Sequence, residues 1–212
     1  MKDDKLTSKV YEYISNKVQN GDYKENQRIT ETEICLEFGV SRTPAREVLN
    51  ILSGKKLLEK VPNKGFILRE FSQKEKTDTY TVIGTLDSLA GVLSTNKLEV
   101  GDITKMKELS EMMDIAIKYR NYNNYLSISN DYHNVYRYKC DNEVLLEQIN
   151  VLIYNFIPKS YTSDDEEELF DLLEHSNKEH MKLIEAFTNK DVDKIERIIK
   201  NHWMSVPIQS KI

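Results

Sequence analysis

Long apolar runs are missing from this 212-residue chain, and no stretch approaches the roughly 18 residues that a membrane-spanning helix needs. The charged opening, Met1 to Leu6, has no apolar segment behind it, so no secretory signal is read there. Cysteine is scarce too. Cys35 and Cys140 stand alone among apolar neighbours, without the paired spacing of a zinc ribbon or a disulfide framework, and are read as reduced structural thiols of a cytoplasmic protein. A strong charge of one sign is also lacking. The net charge of −5 looks unsuited to nucleic acid until it is divided: residues 1–71 hold 13 Lys and Arg against 11 Asp and Glu (+2), and the remainder 17 against 24 (−7). With 39% hydrophobic and 31% charged residues, the composition is that of a soluble globular protein with one or two domains. The positions of its charges matter more than their sum.

The most informative stretch is Thr30 to Glu47. Thr30 and Glu33 form a capping box, in which the hydroxyl takes an orphan amide of the first turn and the carboxylate reaches back to the cap. Gly39 after Phe38 supplies the left-handed residue that ends a helix. Ser41 or Thr43 caps a second helix, and Pro44 falls in its first turn, where a missing amide donor costs nothing. Ala45, Val48, Leu49 and Leu52 make one buried stripe, which leaves Arg42 and Arg46 together on the outer face near the N-terminus. That is the presentation of a DNA-recognition helix.

Ahead of this motif, Leu6, Val10, Tyr13, Ile14 and Val18 mark a packing helix that ends at Asn20-Gly21-Asp22. Behind it, Leu57 to Val61 and Phe66 to Leu68 flank Pro62-Asn63-Lys64-Gly65, the pattern of a β-hairpin. A hairpin at this place is a wing, whose Lys64 and Gly65 could approach a phosphate or the minor groove. Residues 1–71 are therefore expected to form a winged helix-turn-helix domain and residues 72–212 an all-helical one. Ser72 and Glu75 should cap the first helix of the second domain, with Tyr80, Ile83, Leu86, Leu89, Ala90 and Leu93 as its apolar stripe. Further helices are expected at about 103–119, 122–139, 142–157, 164–188 and 191–204, with the short separators of an antiparallel bundle. The acidic run Asp164 to Glu168 reads as a first turn capped by Ser163.

Three of the four histidines lie on the apolar stripe of their own helix. His133 aligns with Leu126, Ser129, Tyr136 and Cys140; His180 with Leu183, Ile184 and Phe187; His202 with Ile195, Ile198 and Ile199. His175 precedes a break expected at Ser176 and should be exposed. Three inward imidazoles from three helices could converge on a divalent metal such as zinc or nickel, or could be separate core residues satisfied by hydroxyls and carbonyls.

Gly39 to Leu49, with Glu33 before it and Pro62-Asn63-Lys64-Gly65 after it, resembles the GntR family of bacterial transcription regulators. The helical remainder is similar to the FCD effector domain of the FadR-type branch: Tyr132-His133, Glu179-His180 and Asn201-His202 match its histidine motifs. The resemblance implies a homodimer on a palindromic operator, with a divalent metal and a small carboxylate effector held in the bundle. By the same analogy Arg42, Thr43 and Arg46 contact bases and phosphates, Thr32 a phosphate, and Lys64 and Gly65 the wing side; Ser41 belongs to the same motif. His133, His180 and His202 are the metal ligands it implies. Two positions depart from the pattern. Ser129 stands where the fourth ligand is usually Asp or Asn, with Asp131 on another helix face, and Ile83 stands where an Arg commonly precedes the Leu-Glu pair, here Leu86-Asp87.

The reading is thus a mainly α, DNA-binding transcription regulator, most simply a repressor, and not an enzyme. A metal-dependent hydrolase built on the three histidines would need a general base that no carboxylate is obviously placed to supply. A winged-helix adaptor without DNA binding is the third alternative, to be recognised by a lack of salt-dependent DNA affinity.

Overall fold

The computed structural model describes residues 2–19, 22–24, 26–62, 65–155 and 165–205. These form two compact units that part between Ser72 and Gln73.

The first unit runs α1 (Lys2–Gln19), β1 (Arg28–Ile29), α2 (Glu31–Phe38), α3 (Arg42–Gly54), β2 (Leu58–Val61) and β3 (Gly65–Leu68). Its helix boundaries follow the local chemistry. The Thr30 hydroxyl accepts the Glu33 amide at 3.1 Å, and Gly39 adopts φ 64°, a left-handed conformation that costs any residue with a Cβ. Ser41 is the cap residue of α3, but its side chain makes no capping hydrogen bond. β2 and β3 pair antiparallel with Lys60 opposite Phe66 and Glu59 opposite Ile67. A strand the sequence did not disclose, β1, joins the other edge of β3, with Arg28 opposite Ile67. The core is continuous: Val10, Ile14 and Ile29 pack with Ile34, Val48, Leu49, Leu52, Leu58 and Phe66.

The second unit contains α4 (Gln73–Ser94), α5 (Val100–Lys118), α6 (Tyr122–Arg137), α7 (Glu143–Asn155), α8 (Glu166–Thr188) and α9 (Val192–Met204). No described helix is long and apolar enough to cross a membrane. α4 lies against α9, and glycine permits the approach. A Cβ on Gly84 would stand 3.1 Å from the Trp203 Cβ, and one on Gly91 only 2.5 Å from the Ile199 Cδ1. Met106, Leu109, Met113, Tyr125, Tyr132, Leu173, Leu183, Phe187, Ile195 and Ile199 fill the core.

Three local expectations need correction. On α4, Tyr80, Ile83 and Ala90 are buried, but Leu89 and Leu93 are 45% and 38% exposed while Asp87 is wholly buried. Small residues that admit α9, and a partner for Asp87, decide the inward face of this helix. α8 is capped by Asp165, which accepts the Glu167 amide at 2.8 Å; Ser163 lies outside the described residues. No break occurs at Ser176, which is buried inside a continuous α8. Its neighbour Asn177 gives the reason, accepting from the Ser110 hydroxyl at 3.0 Å and donating to Asp114 at 2.7 Å. The polar pair marks a contact between helices, not an end. His175 is exposed, as its position suggested.

Candidate functional site

In the first unit, α3 exposes Arg42, Thr43 and Arg46 at its N-terminal end while Ala45, Val48, Leu49 and Leu52 anchor its other side. Thr32 and Ser41 are exposed as well. On the wing, Gly65 is exposed with φ 83°, a conformation suited to glycine, and Lys64 lies outside the described residues. Sequence reasoning missed the partner of Arg46. Its Nε and Nη2 fork onto the two carboxylate oxygens of Glu31 at 2.6 and 3.1 Å, a planar bidentate pair. That hydrogen bond draws the Glu31 carboxyl below its usual value. The pair is solvent-exposed, so screening keeps it weak enough for a phosphate or a guanine to compete.

In the second unit the three stripe histidines meet. His133 from α6, His180 from α8 and His202 from α9 are all buried, and one ring nitrogen of each lies within 4.8 Å of the others. No Cys, Asp or Glu joins the group among the described residues. Ser129 is half-buried on α6 and Asp131 is exposed.

The hydrogen bonds orient the rings. His202 Nδ1 lies 2.9 Å from the Glu179 carboxylate, which can only accept. His180 Nδ1 lies 3.3 Å from the Asn177 Oδ1, the amide nitrogen of Asn177 being used on the Ser110 carbonyl and Asp114. His133 Nδ1 lies 2.8 Å from the Tyr136 hydroxyl, whose proton goes to Asp87 at 2.8 Å. Each Nδ1 therefore donates, and in a neutral ring the Nε2 keeps its lone pair. The His133 and His180 Nε2 atoms face one another at 3.3 Å with no proton between them. Two ligands about 2.0 to 2.1 Å from a tetrahedral zinc are separated by about 3.3 Å, so this pair has the spacing of two ligands on one cation, and the third histidine offers a nitrogen within 4.8 Å of both. Burial, then Arg137 and His202, holds the His133 imidazole well below its ordinary 6.5. Burial, then His202 and His133, does the same for His180. Neutral rings are what a metal requires.

Behind the histidines is a buried polar hub that the sequence reading did not find. Asp87 on α4 accepts from Arg137 Nε at 2.7 Å and Nη2 at 2.9 Å, from Tyr136, and from the Trp203 indole at 2.7 Å. A signal for it existed. Asp87 is the sole charged residue from Thr79 to Asn96, and a lone charge in such a stretch is buried with a partner or is functional.

Comparison with known proteins agrees with both units. The model of the bacterial regulatory proteins of the gntR family matches residues 6–68, and that of the FCD domain residues 78–205. The chain belongs to the GntR family of bacterial regulators, in the branch that carries an FCD domain, and is a DNA-binding transcription regulator and not an enzyme. Over 203 residues it is 25% identical to the HTH-type transcriptional regulator YdhC of Bacillus subtilis strain 168, covering 90% of this chain and 91% of that protein. It is 24% identical, over 93% of its length and 85% of the relative's, to a probable D-xylose utilization operon transcriptional repressor of Paenarthrobacter nicotinovorans. Among solved structures, Escherichia coli McbR/YncC shares the fold at a TM-score of 0.78 and 20% identity, over 93% of each chain.

Proposed function

We propose that this regulator is a homodimeric, cytoplasmic operator-binding repressor whose grip on DNA is set by a small carboxylate effector at a divalent metal held by His133, His180 and His202. Residues 1–71 serve as the reading domain and residues 72–212 as the sensing and dimerising domain. Arg42, Thr43 and Arg46 reach base edges and phosphates in the major groove, Thr32 and Ser41 contact phosphates, and Lys64 and Gly65 serve the wing. Repression is favoured by the name of the Paenarthrobacter nicotinovorans relative, a probable D-xylose utilization operon transcriptional repressor. Homodimerisation is favoured by α4, where Val82, Leu89 and Leu93 are exposed on a face without a charged residue from Thr79 to Asn96.

The observation that carries the sensing half is the meeting of three buried imidazoles, one ring nitrogen of each within 4.8 Å of the others, with every Nδ1 already committed. Zinc or nickel suits three imidazoles. When bound, the metal would supply a Lewis-acidic anchor for an effector oxygen. The chain's own contribution is to hold His133 and His180 neutral, to orient all three ligands, and to leave the remaining positions open in place of a fourth side chain. Elemental analysis of untagged, natively purified protein, followed by operator binding of the stripped and reloaded forms, tests the reading. One metal per chain and an operator affinity that responds to a carboxylate only in the loaded form are expected; absence of metal from the wild type overturns the sensing half.

A further inference from the structure

The three histidines differ in what holds them. His180 is held from within its own helix by Asn177, three residues before it on α8, and His202 on α9 is held directly by a carboxylate of α8, Glu179. His133 depends on a longer chain. Its Nδ1 meets the Tyr136 hydroxyl, and a phenol can either give or take a hydrogen bond. Which it does is decided one residue further on. Asp87 faces four fixed donors: two guanidinium N–H groups of Arg137, the Trp203 indole, which can only donate, and the Tyr136 hydroxyl. A carboxylate offers acceptors alone, so the Tyr136 proton points at Asp87, and the phenol oxygen is left to accept from His133. Reversing that hydroxyl would set two bare oxygens 2.8 Å apart.

We propose that Asp87, acting through Tyr136, is the positioning residue of the histidine centre. It fixes His133 as the Nδ1–H tautomer and so turns the Nε2 lone pair toward His180 and His202. The same carboxylate reaches a second ligand by another route. Trp203 follows His202 in α9, its indole is tied to Asp87 at 2.7 Å, and Gly84, one turn before Asp87, leaves room for its Cβ. One buried carboxylate on α4 thereby orients His133 from α6 and steadies the helix that carries His202. Tyr136 is the selective link. Tyr136→Phe removes a single hydroxyl and leaves the Asp87 bonds to Arg137 and Trp203 untouched, whereas Asp87→Asn offers the phenol a donor and lets its proton turn to His133, which favours the Nε2–H form that cannot ligate.

This inference rests on the metal reading, and its test separates the two. Chelator-stripped, full-length protein is examined by long-range proton–nitrogen correlation of the imidazoles at pH 7.5, then titrated with zinc against a chromogenic chelator. The wild type is expected to show His133 as Nδ1–H. Tyr136→Phe should keep its thermal stability near that of the wild type but lose the tautomer bias at His133 and bind zinc about 10- to 100-fold more weakly, the usual cost of removing a metal ligand's hydrogen-bond partner. Asp87→Asn, if it folds, should show His133 as Nε2–H. A wild-type His133 found as Nε2–H, or a Tyr136→Phe variant that keeps the Nδ1–H form and zinc affinity within twofold, overturns the proposal. If the wild type takes up no zinc, the metal reading fails, and the tautomers of the stripped proteins still decide the role of Asp87.

Discussion

Two buried neutral imidazoles make the metal-free protein sensitive to mild acid. In the unfolded chain His133 and His180 titrate near 6.5, while in the folded protein burial holds both well below that value. Under these conditions the unfolded state takes up protons that the folded state refuses, so stability falls as pH falls below about 6.5 and continues to fall until the folded-state value is reached. Above 6.5 both states are neutral and the two groups contribute nothing. Each contributes about 1.4 kcal/mol per pH unit at full slope, so lowering the pH from 7.5 to 5.5 should remove about 2.7 kcal/mol in all. For a protein of this size that is about 5 to 11 °C in Tm. Glu179 does not obscure the window: burial pushes its carboxyl up, but the hydrogen bond and charge of His202 bring it net below 4.5, so its contribution is lost only at lower pH. The measurement is a urea titration of chelator-stripped protein at several pH values, followed by emission of Trp203, the chain's one tryptophan, which lies 5.9 Å from the His133 ring. Replacing both histidines by Gln should flatten the dependence. A free energy of unfolding that is level or rising from pH 7.5 to 5.5 would refute the reasoning.

Arg46→Ala should weaken operator binding roughly 5- to 150-fold and relax sequence preference if the guanidinium reads a base; a loss that is uniform across sequences, with a shallower salt dependence, would assign it to a phosphate instead. Thr30→Ala removes one half of the capping box of α2 and should cost about 0.5 to 2 kcal/mol of stability, read from thermal unfolding of the isolated variant. Asp87→Leu leaves the Arg137 guanidinium buried without a counter-charge and should cost about 3 to 5 kcal/mol, whereas joining it to Arg137→Met should recover most of the loss. A double variant as unstable as the single one in chemical denaturation would show that the hub contributes through something other than charge pairing.

The helix-turn-helix was legible because each of its boundaries is written in neighbouring residues: Thr30 with Glu33, then Gly39, then Pro44. β1 was not, since two residues carry no periodicity and their strand character exists only through pairing with Phe66 and Ile67. Helical spacing placed all three histidines on inward stripes and anticipated their burial. It could not supply their Nδ1 partners, with the exception of Tyr136, which shares the stripe of His133. α4 was misread for a physical reason. Counting apolar side chains favours Leu89 and Leu93 as core, yet the inward face is fixed by Arg137 and Trp203, 50 and 116 residues further along the chain. The bond between Glu31 and Arg46 was hidden in the same way, because it spans the turn between two helices that sequence reasoning treated one at a time.

The close packing of α4 on α9 has a consequence for how news of a ligand could travel. α4 is the helix that follows the wing directly in the chain, Leu68 ending β3 and Gln73 opening α4. α9 carries His202, and beside it Trp203 leans on Asp87 of α4. A ligand that drew His202 toward the other two imidazoles would turn α9 against its neighbour, and Gly84 and Gly91 leave almost no slack between them. The disturbance would then fall, across one helix pair, on the helix whose first residue, Gln73, lies five residues after the end of β3 at Leu68.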